Sequence, residues 1–230
     1  MGKNTAVIVS AGNGVRMETE KPKQYLMLGD RPILAHTLQV FQESVRIDDI
    51  IVVAAEDRAD FVYREVVKKY GFSKVSGIVP GGATRCESVY NGLKACRNTD
   101  YVLIHDGVRP FVTEDIIRRG LEAAGVFGNA ICGMPSKDTI RVTNAVGQVQ
   151  QTPMREMVWL VQTPQTFSYP VIMDAYTHLF EEEAASDLSY ITDDGMVLEW
   201  AGGAVHMIRG AYRNLKITTP EDLKSAEALL

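Results

Sequence analysis

Ala11-Gly12-Asn13-Gly14-Val15-Arg16 follows directly on the apolar run Ala6 to Ser10, and Lys21-Pro22-Lys23-Gln24-Tyr25 comes a few residues later. Gly12 and Gly14 carry no Cβ, so the backbone there can turn tightly and bring N–H groups against anionic oxygens. Arg16 and Lys23 add full positive charges. This is the chemistry of a phosphate cradle. It is not the dinucleotide fingerprint, because the third glycine of G-x-G-x-x-G falls at Met17, and it is not a Walker A loop, because no Gly-Lys-Ser/Thr follows. A nucleotide is suggested, held neither as NAD nor in a P-loop.

Further chemistry gathers at the ends of other apolar runs. Pro80-Gly81-Gly82-Ala83-Thr84-Arg85 is a second glycine turn, opening a helix that carries Ser88 and Asn91, and free N–H groups at that helix start can bind a base or a phosphate. His105-Asp106-Gly107-Val108-Arg109-Pro110 puts a carboxylate and a guanidinium after a buried strand. Asp106 can hold Mg²⁺ and Arg109 can grip a phosphate bidentately. Thr139 and Arg155 flank a polar segment, and Thr192-Asp193-Asp194-Gly195 and Asn214-Leu215-Lys216-Ile217-Thr218 complete the set. Asp193-Asp194 reads first as the cap of the helix that follows. His105 reads as a shaper of the Asp106 loop, and Cys86, Cys96 and Cys132 as small core residues, lacking any C-x-x-C pair or metal spacing.

Elements that would position these groups alternate along the chain. Ile50 to Ala54, Ser76 to Val79, Tyr101 to His105 and Ala130 to Met134 read as buried strands. Between them, Ile33, Leu34, Leu38 and Phe41 share a helical face after Pro32, and Phe61, Val62, Val66, Val67 and Tyr70 form a second stripe. Helices are also predicted from about Glu87 to Ala95, after Thr113 as N-cap, and after Thr219, with Pro220 at the first helical position and Asp222 closing the cap. The alternation predicts an α/β fold, a mostly parallel sheet with helices on both faces, with ligands at the carboxyl ends of the strands. One segment departs from it. Thr139 to Val142 and Gln148 to Thr152 read as a polar hairpin arm that must pack on something else, a second subunit first of all.

Composition narrows the partners. With 24 Lys and Arg against 29 Asp and Glu, the net charge is −5, which argues against a nucleic-acid surface and for a small anionic ligand at local cationic loops. Three cysteines cannot all pair among themselves, which fits a reducing compartment, and the cytoplasm is the expectation. Neither a signal segment nor a membrane-spanning run is read from the sequence. The 230 residues are read as one domain, residues 1–230, with an arm at about 137–157.

Taken in order, AGNGVRM at 11–17, KPKQY at 21–25, PGGATRCESVYNGL at 80–93, HDGVRP at 105–110, KDTI at 137–140, QTPQTF at 162–167, TDDG at 192–195 and LKITTPEDL at 215–223 make the chain resemble the 2-C-methyl-D-erythritol 4-phosphate cytidylyltransferase family. The resemblance covers nearly the whole chain. It implies a Rossmann-like fold of the nucleotide-diphospho-sugar transferase type, a homodimer, a divalent cation such as Mg²⁺, and transfer of CMP from CTP to methylerythritol phosphate. By resemblance, Ala11, Gly12 and Gly14 wrap the triphosphate, Arg16 and Lys23 stabilise the transition state, and Gly82 with Ser88 lines the nucleoside pocket. Asp106, Arg109 and Lys216 engage the methylerythritol phosphate or, for Asp106, the metal. Thr139 and Arg155 match arm positions that reach the substrate bound to the partner subunit. Two departures are Gly107-Val108, where the family often has two alanines, and Ala83, where a polar or acidic residue is frequent.

The implied reaction suits these residue types. A phosphate monoester is already an anion at neutral pH and needs no general base to attack a phosphorus. Repulsion between anions is the obstacle, so positioning and positive charge are what the protein must supply. Two other readings stay open: a ribitol 5-phosphate cytidylyltransferase, which shares the CTP loop, the HD-x-x-RP segment and QTPQ, and a catalytically inactive nucleotide-binding protein. Joint retention of Arg16, Lys23, Asp106, Arg109 and Lys216 speaks against the last.

Overall fold

The computed structural model describes residues 2–12, 21–182 and 188–230. Gly14 and Arg16 lie outside the described residues. The central sheet is built from β1 (Asn4–Ser10), β2 (Asp49–Ala54), β3 (Val75–Pro80), β4 (Tyr101–Asp106), β5 (Asn129–Pro135), β8 (Trp159–Ser168) and β9 (Met207–Arg209), with β6 (Val142–Thr143) and β7 (Val149–Gln151) forming a separate hairpin between β5 and β8. Strand order is β3-β2-β1-β4-β8-β5-β9, and every neighbouring pair is parallel except those that β8 makes with β4 and β5. The chain therefore moves outward from β1 through β2 to β3 and returns across β1 to β4. That reversal opens a crevice at the carboxyl ends of β1 and β4, where open α/β sheets collect their ligands.

Both faces are covered because the strands are apolar at successive positions. Ala6 and Ile8 point to one side, beneath α1 (Ile33–Glu43) and α3 (Glu114–Phe127), and pack with Leu38, Phe41, Val52 and Ile116. Val7 points to the other, beneath α2 (Arg85–Ala95), α4 (Tyr169–Glu182) and α5 (Asp194–Trp200), and packs with Val53, Val89, Tyr176 and Val197. At Gly92 a Cβ would stand 2.5 Å from Val7 Cγ1, so glycine there lets α2 lie close on the sheet. A third cluster, with Leu28, Ile33, Val108 and Ile217, seats α6 (Pro220–Glu227) beside the end of β4.

Local signals behave as their chemistry dictates. Thr113 caps α3 by accepting from Ile116 N, and Thr219 forms a capping box with Asp222 behind Pro220. The stripe from Phe61 to Tyr70 is helical, but Val62–Lys68 runs in π register, with Val62, Val66 and Val67 buried. β3 corrects the expectation of a buried strand: it is the sheet edge, and Ser76 is exposed. The arm pairs Val142–Thr143 with Val149–Gln151, so Thr139 stands before its first strand. No helix among the described residues is long and apolar enough to cross a membrane.

Candidate active site

Two cavities open side by side at the carboxyl ends of the strands. One, about 380 Å³, is lined by Ala11, Gly12, Lys23, Gln24, Gly82, Thr84 and Ser88. Its neighbour, about 450 Å³, is lined by Arg109, Gln162, Thr163, Gln165, Thr192 and Asp193. Arg85, Asp106 and Lys216 line both. Of the nucleotide-side residues named from sequence, Ala11, Gly12, Lys23, Gly82 and Ser88 thus meet around one hollow, and the substrate-side group Asp106, Arg109 and Lys216 meets around the other.

Gly82 and Ser88 are joined by a compact turn. The Ser88 hydroxyl accepts from Gly82 N–H (3.0 Å) and donates to the Thr84 carbonyl (2.9 Å), while Thr84 caps α2 by accepting from Glu87 N–H. Ala83 N–H donates to Glu87 Oε2 at 2.6 Å. A Cβ on Gly82 would collide with the Glu87 side chain, so only glycine allows this turn. Of the N–H groups at this turn and helix start, those of Gly82, Ala83 and Glu87 are taken internally. The turn also gives the cavity its shape and the Ser88 side chain.

Asp106 is the electrostatic centre. Its Oδ2 is 3.0 Å from Lys216 Nζ and accepts from Arg109 Nε at 3.2 Å, and its Oδ1 faces Arg85 Nε at 3.9 Å. Burial alone would raise the Asp106 pKa, but Lys216, Arg85 and Arg109 outweigh it and hold the carboxyl well below the ordinary range. Arg109 also donates from Nη1 to the Asn214 carbonyl, at 2.9 Å, so it is a buried brace of the loop that carries Lys216. His105 shapes this loop as expected. Its Nε2 meets the Arg109 carbonyl at 3.1 Å and its Nδ1 meets Thr163 Oγ1 at 3.0 Å, while that hydroxyl accepts from Asp106 N–H. Complete burial lowers the imidazole pKa to about 4, so it is neutral at physiological pH.

Among the described residues no three His, Cys, Asp or Glu side chains converge on a ready-made metal site. Asp106 is the carboxylate at the wall between the cavities, and its oxygens face Lys216, Arg109 and Arg85, while Mg²⁺ in general keeps several waters and takes one or two carboxylates with substrate phosphates. The cysteines are buried and burial raises their pKa values, to about 12 for Cys86 and Cys96 and about 11 for Cys132, so none is a ready nucleophile.

Thr139 and Arg155 line neither cavity. Both are exposed, and Arg155 donates from Nη1 to the Lys137 carbonyl at the base of the arm. Asp193 caps α5 as expected, accepting from Met196 N–H at 2.9 Å, but Asp194 does not share that job. It is fully buried and takes a two-pronged ion pair from Arg85, with Nη1 at 2.9 Å and Nη2 at 2.7 Å. Arg85, Gln24, Gln162, Thr163 and Gln165 were not singled out from sequence. The QTPQ string carried the signal for the last three, since β8 shifts register between Val161 and Gln165 and so turns these polar side chains into the cavity.

Residues 4–230 match the profile of the family described as IspD: 2-C-methyl-D-erythritol 4-phosphate cytidylyltransferase. A curated protein of that name from Alkaliphilus oremlandii (strain OhILAs) is 46% identical over 231 residues, covering 100% of this chain and 96% of its own length. One of the same name from Geobacter metallireducens (strain ATCC 53774 / DSM 7210 / GS-15) is 48% identical over 229 residues, covering 98% of this chain and 96% of its own. The crystal structure of 4-diphosphocytidyl-2C-methyl-D-erythritol synthase from Anaerococcus prevotii DSM 20548 superposes with a TM-score of 0.84 at 34% identity, covering 99% of this chain and 96% of that one. Profile, relatives and fold agree from end to end, and the chain belongs to the 2-C-methyl-D-erythritol 4-phosphate cytidylyltransferase (IspD) family.

Proposed function

We propose that the protein transfers CMP from CTP to 2-C-methyl-D-erythritol 4-phosphate, giving 4-diphosphocytidyl-2-C-methyl-D-erythritol and pyrophosphate for isoprenoid precursor synthesis. The observation that carries this reading is the shared wall of two adjacent cavities, where Lys216 and Arg85 flank Asp106. One cavity has the glycine turn and Lys23 for a nucleoside triphosphate, and the other has Arg109 and Lys216 for a phosphate monoester. A phosphate oxygen of the monoester attacks the α-phosphorus, a new P–O bond forms, and the bond to the β-phosphate oxygen breaks as pyrophosphate leaves in line. The nucleophile is anionic, and no His or Cys is poised to remove a proton. Lys23 and Arg16 stabilise charge on the α-phosphoryl group, Ala11, Gly12 and Gly14 cradle the triphosphate, and Gly82 and Ser88 shape the nucleoside pocket. Asp106, Arg109 and Lys216 orient the monoester. Mg²⁺, held at Asp106, would neutralise triphosphate charge.

We also propose a homodimer exchanging its arms. Val142, Val146, Val149, Met154 and Met157 are exposed along and after the hairpin, an apolar surface suited to a second copy, and Thr139 and Arg155 have no place in their own cavities. Three buried, unpaired cysteines support a cytoplasmic setting.

Pyrophosphate release tests the reaction. Turnover should require CTP, methylerythritol 4-phosphate and a divalent cation, with ribitol 5-phosphate much poorer. Equal or better turnover with ribitol 5-phosphate would overturn the assignment.

A further inference from the structure

The pair formed by Arg85 and Asp194 joins the first turn of α2 to the first turn of α5 across 109 residues of sequence. Asp194 is fixed from other sides too. Its Oδ1 accepts from the Tyr176 hydroxyl at 2.6 Å, and its backbone N–H donates to Gln165 Oε1 at 2.9 Å. Arg85 engages it through Nη1 and Nη2, the end of the guanidinium fork, which leaves the Nε edge directed toward Asp106 Oδ1 at 3.9 Å. That distance is an ion pair without a hydrogen bond. A guanidinium bound only to Asp106 would be free to fold onto it or onto an incoming phosphate, whereas one clamped end-on by a buried carboxylate presents its charge in one orientation.

We propose that Arg85, clamped by Asp194, is a positioning residue that fixes the Asp106 carboxylate at the wall between the two cavities. With its Oδ1 side opposite a fixed cation, Asp106 keeps Oδ2 for Arg109 and Lys216, and Lys216 Nζ is thereby held where the two substrates must meet. This rests on the transfer reaction proposed above and adds to it a part of the site on which the monoester depends more than the nucleotide does.

The test is steady-state kinetics on Arg85→Lys, which keeps the charge but cannot bind Asp194 through two nitrogens, with Asp194→Asn as the second variant, keeping the volume and one acceptor. Thermal melts fix an assay temperature at which each variant is folded. The expected result is a rise of roughly fivefold or more in KM for methylerythritol 4-phosphate, with kcat lowered and KM for CTP within about twofold of the wild type. Asp194→Asn should show the same split at smaller size, and decides the matter if Arg85→Lys does not fold. A lowered melting point with unchanged kinetic constants would make the pair a staple between α2 and α5 and overturn the proposal, as would an equal rise in both KM values. Wild-type turnover is the control that separates the two readings: an inactive wild type sinks the reaction, whereas an active wild type with no split in the variants sinks only the role of Arg85.

Discussion

Gln24 reaches back to the end of β1, where its Nε2 donates to the Ser10 carbonyl at 2.6 Å and to the Gly12 carbonyl at 3.0 Å. The Ser10 carbonyl and the Ala11 N–H belong to one planar peptide and point in opposite directions, so tying the carbonyl to Gln24 turns that N–H away from it. Gln24 is buried and adjoins Lys23, so one side chain couples the loop backbone to the cation. Gln24→Glu keeps the shape but cannot donate. Its KM for CTP should rise by about tenfold, with KM for methylerythritol 4-phosphate little changed, and its unfolding free energy should fall by about 1–3 kcal/mol. An unchanged KM for CTP in a folded variant would show that the tether does not shape the nucleotide site.

Lys23→Ala should lower kcat by roughly 10²-fold while leaving the fold intact, because removing a preorganised charge from the transition state costs about 3 kcal/mol. Lys23 lines the nucleotide-side cavity, and Arg16→Ala is expected to behave alike. Near-normal kcat with a raised KM would assign either residue to ground-state binding.

Folding stability should fall as pH drops through the window between the ordinary His pKa and that of His105. Burial lowers the His105 pKa from 6.5 to about 4, only partly opposed by its hydrogen bond to the Arg109 backbone and by Asp106. Below about pH 6.5 the unfolded chain therefore binds a proton that the folded chain refuses until about pH 4. The stability present above pH 6.5 is lost across that interval, by on the order of 3 kcal/mol. Urea melts at pH 7 and pH 5 measure it. His105→Gln should flatten the slope, and a variant as acid-sensitive as the wild type would remove His105 as its cause.

Much of the sheet could be read from residue types because β1, β2, β4 and β5 are short apolar runs buried on both faces, and the caps at Thr113 and Thr219 are local in sequence. β8 escaped because its middle is polar and holds Pro164, which in isolation demotes a strand. β3 looked like its neighbours, since a short apolar run packed by helices reads alike at an edge and at the centre of a sheet. At the site, glycines and cations in contiguous motifs were visible. The role of Arg85 was not, since an arginine after a glycine turn looks solvated until Asp194, distant in sequence, is brought to it. The pair Asp193-Asp194 shows the same limit. Capping is local and could be anticipated for Asp193, whereas the burial of Asp194 depends on which helix packs opposite.

Each active site should be completed by the other subunit's arm. Arg155 is exposed and lines neither cavity of its own chain, and the hairpin between Thr139 and Arg155 carries exposed Val142, Val146 and Val149 away from the sheet. An arm exchanged about a two-fold axis would carry Arg155 to the neighbour's substrate phosphate. Dimers of Lys23→Ala lack the catalytic lysine in every site, and dimers of Arg155→Ala lack the arm arginine in every site, so each should be nearly inactive alone. Co-refolded, about half the dimers are mixed, and one site in each mixed dimer combines an intact Lys23 core with an intact Arg155 arm, restoring roughly a quarter of wild-type sites. If Arg155 serves its own subunit, no such site can form. A mixture as inactive as its parents, with heterodimers demonstrated by mass, would rule out the shared site.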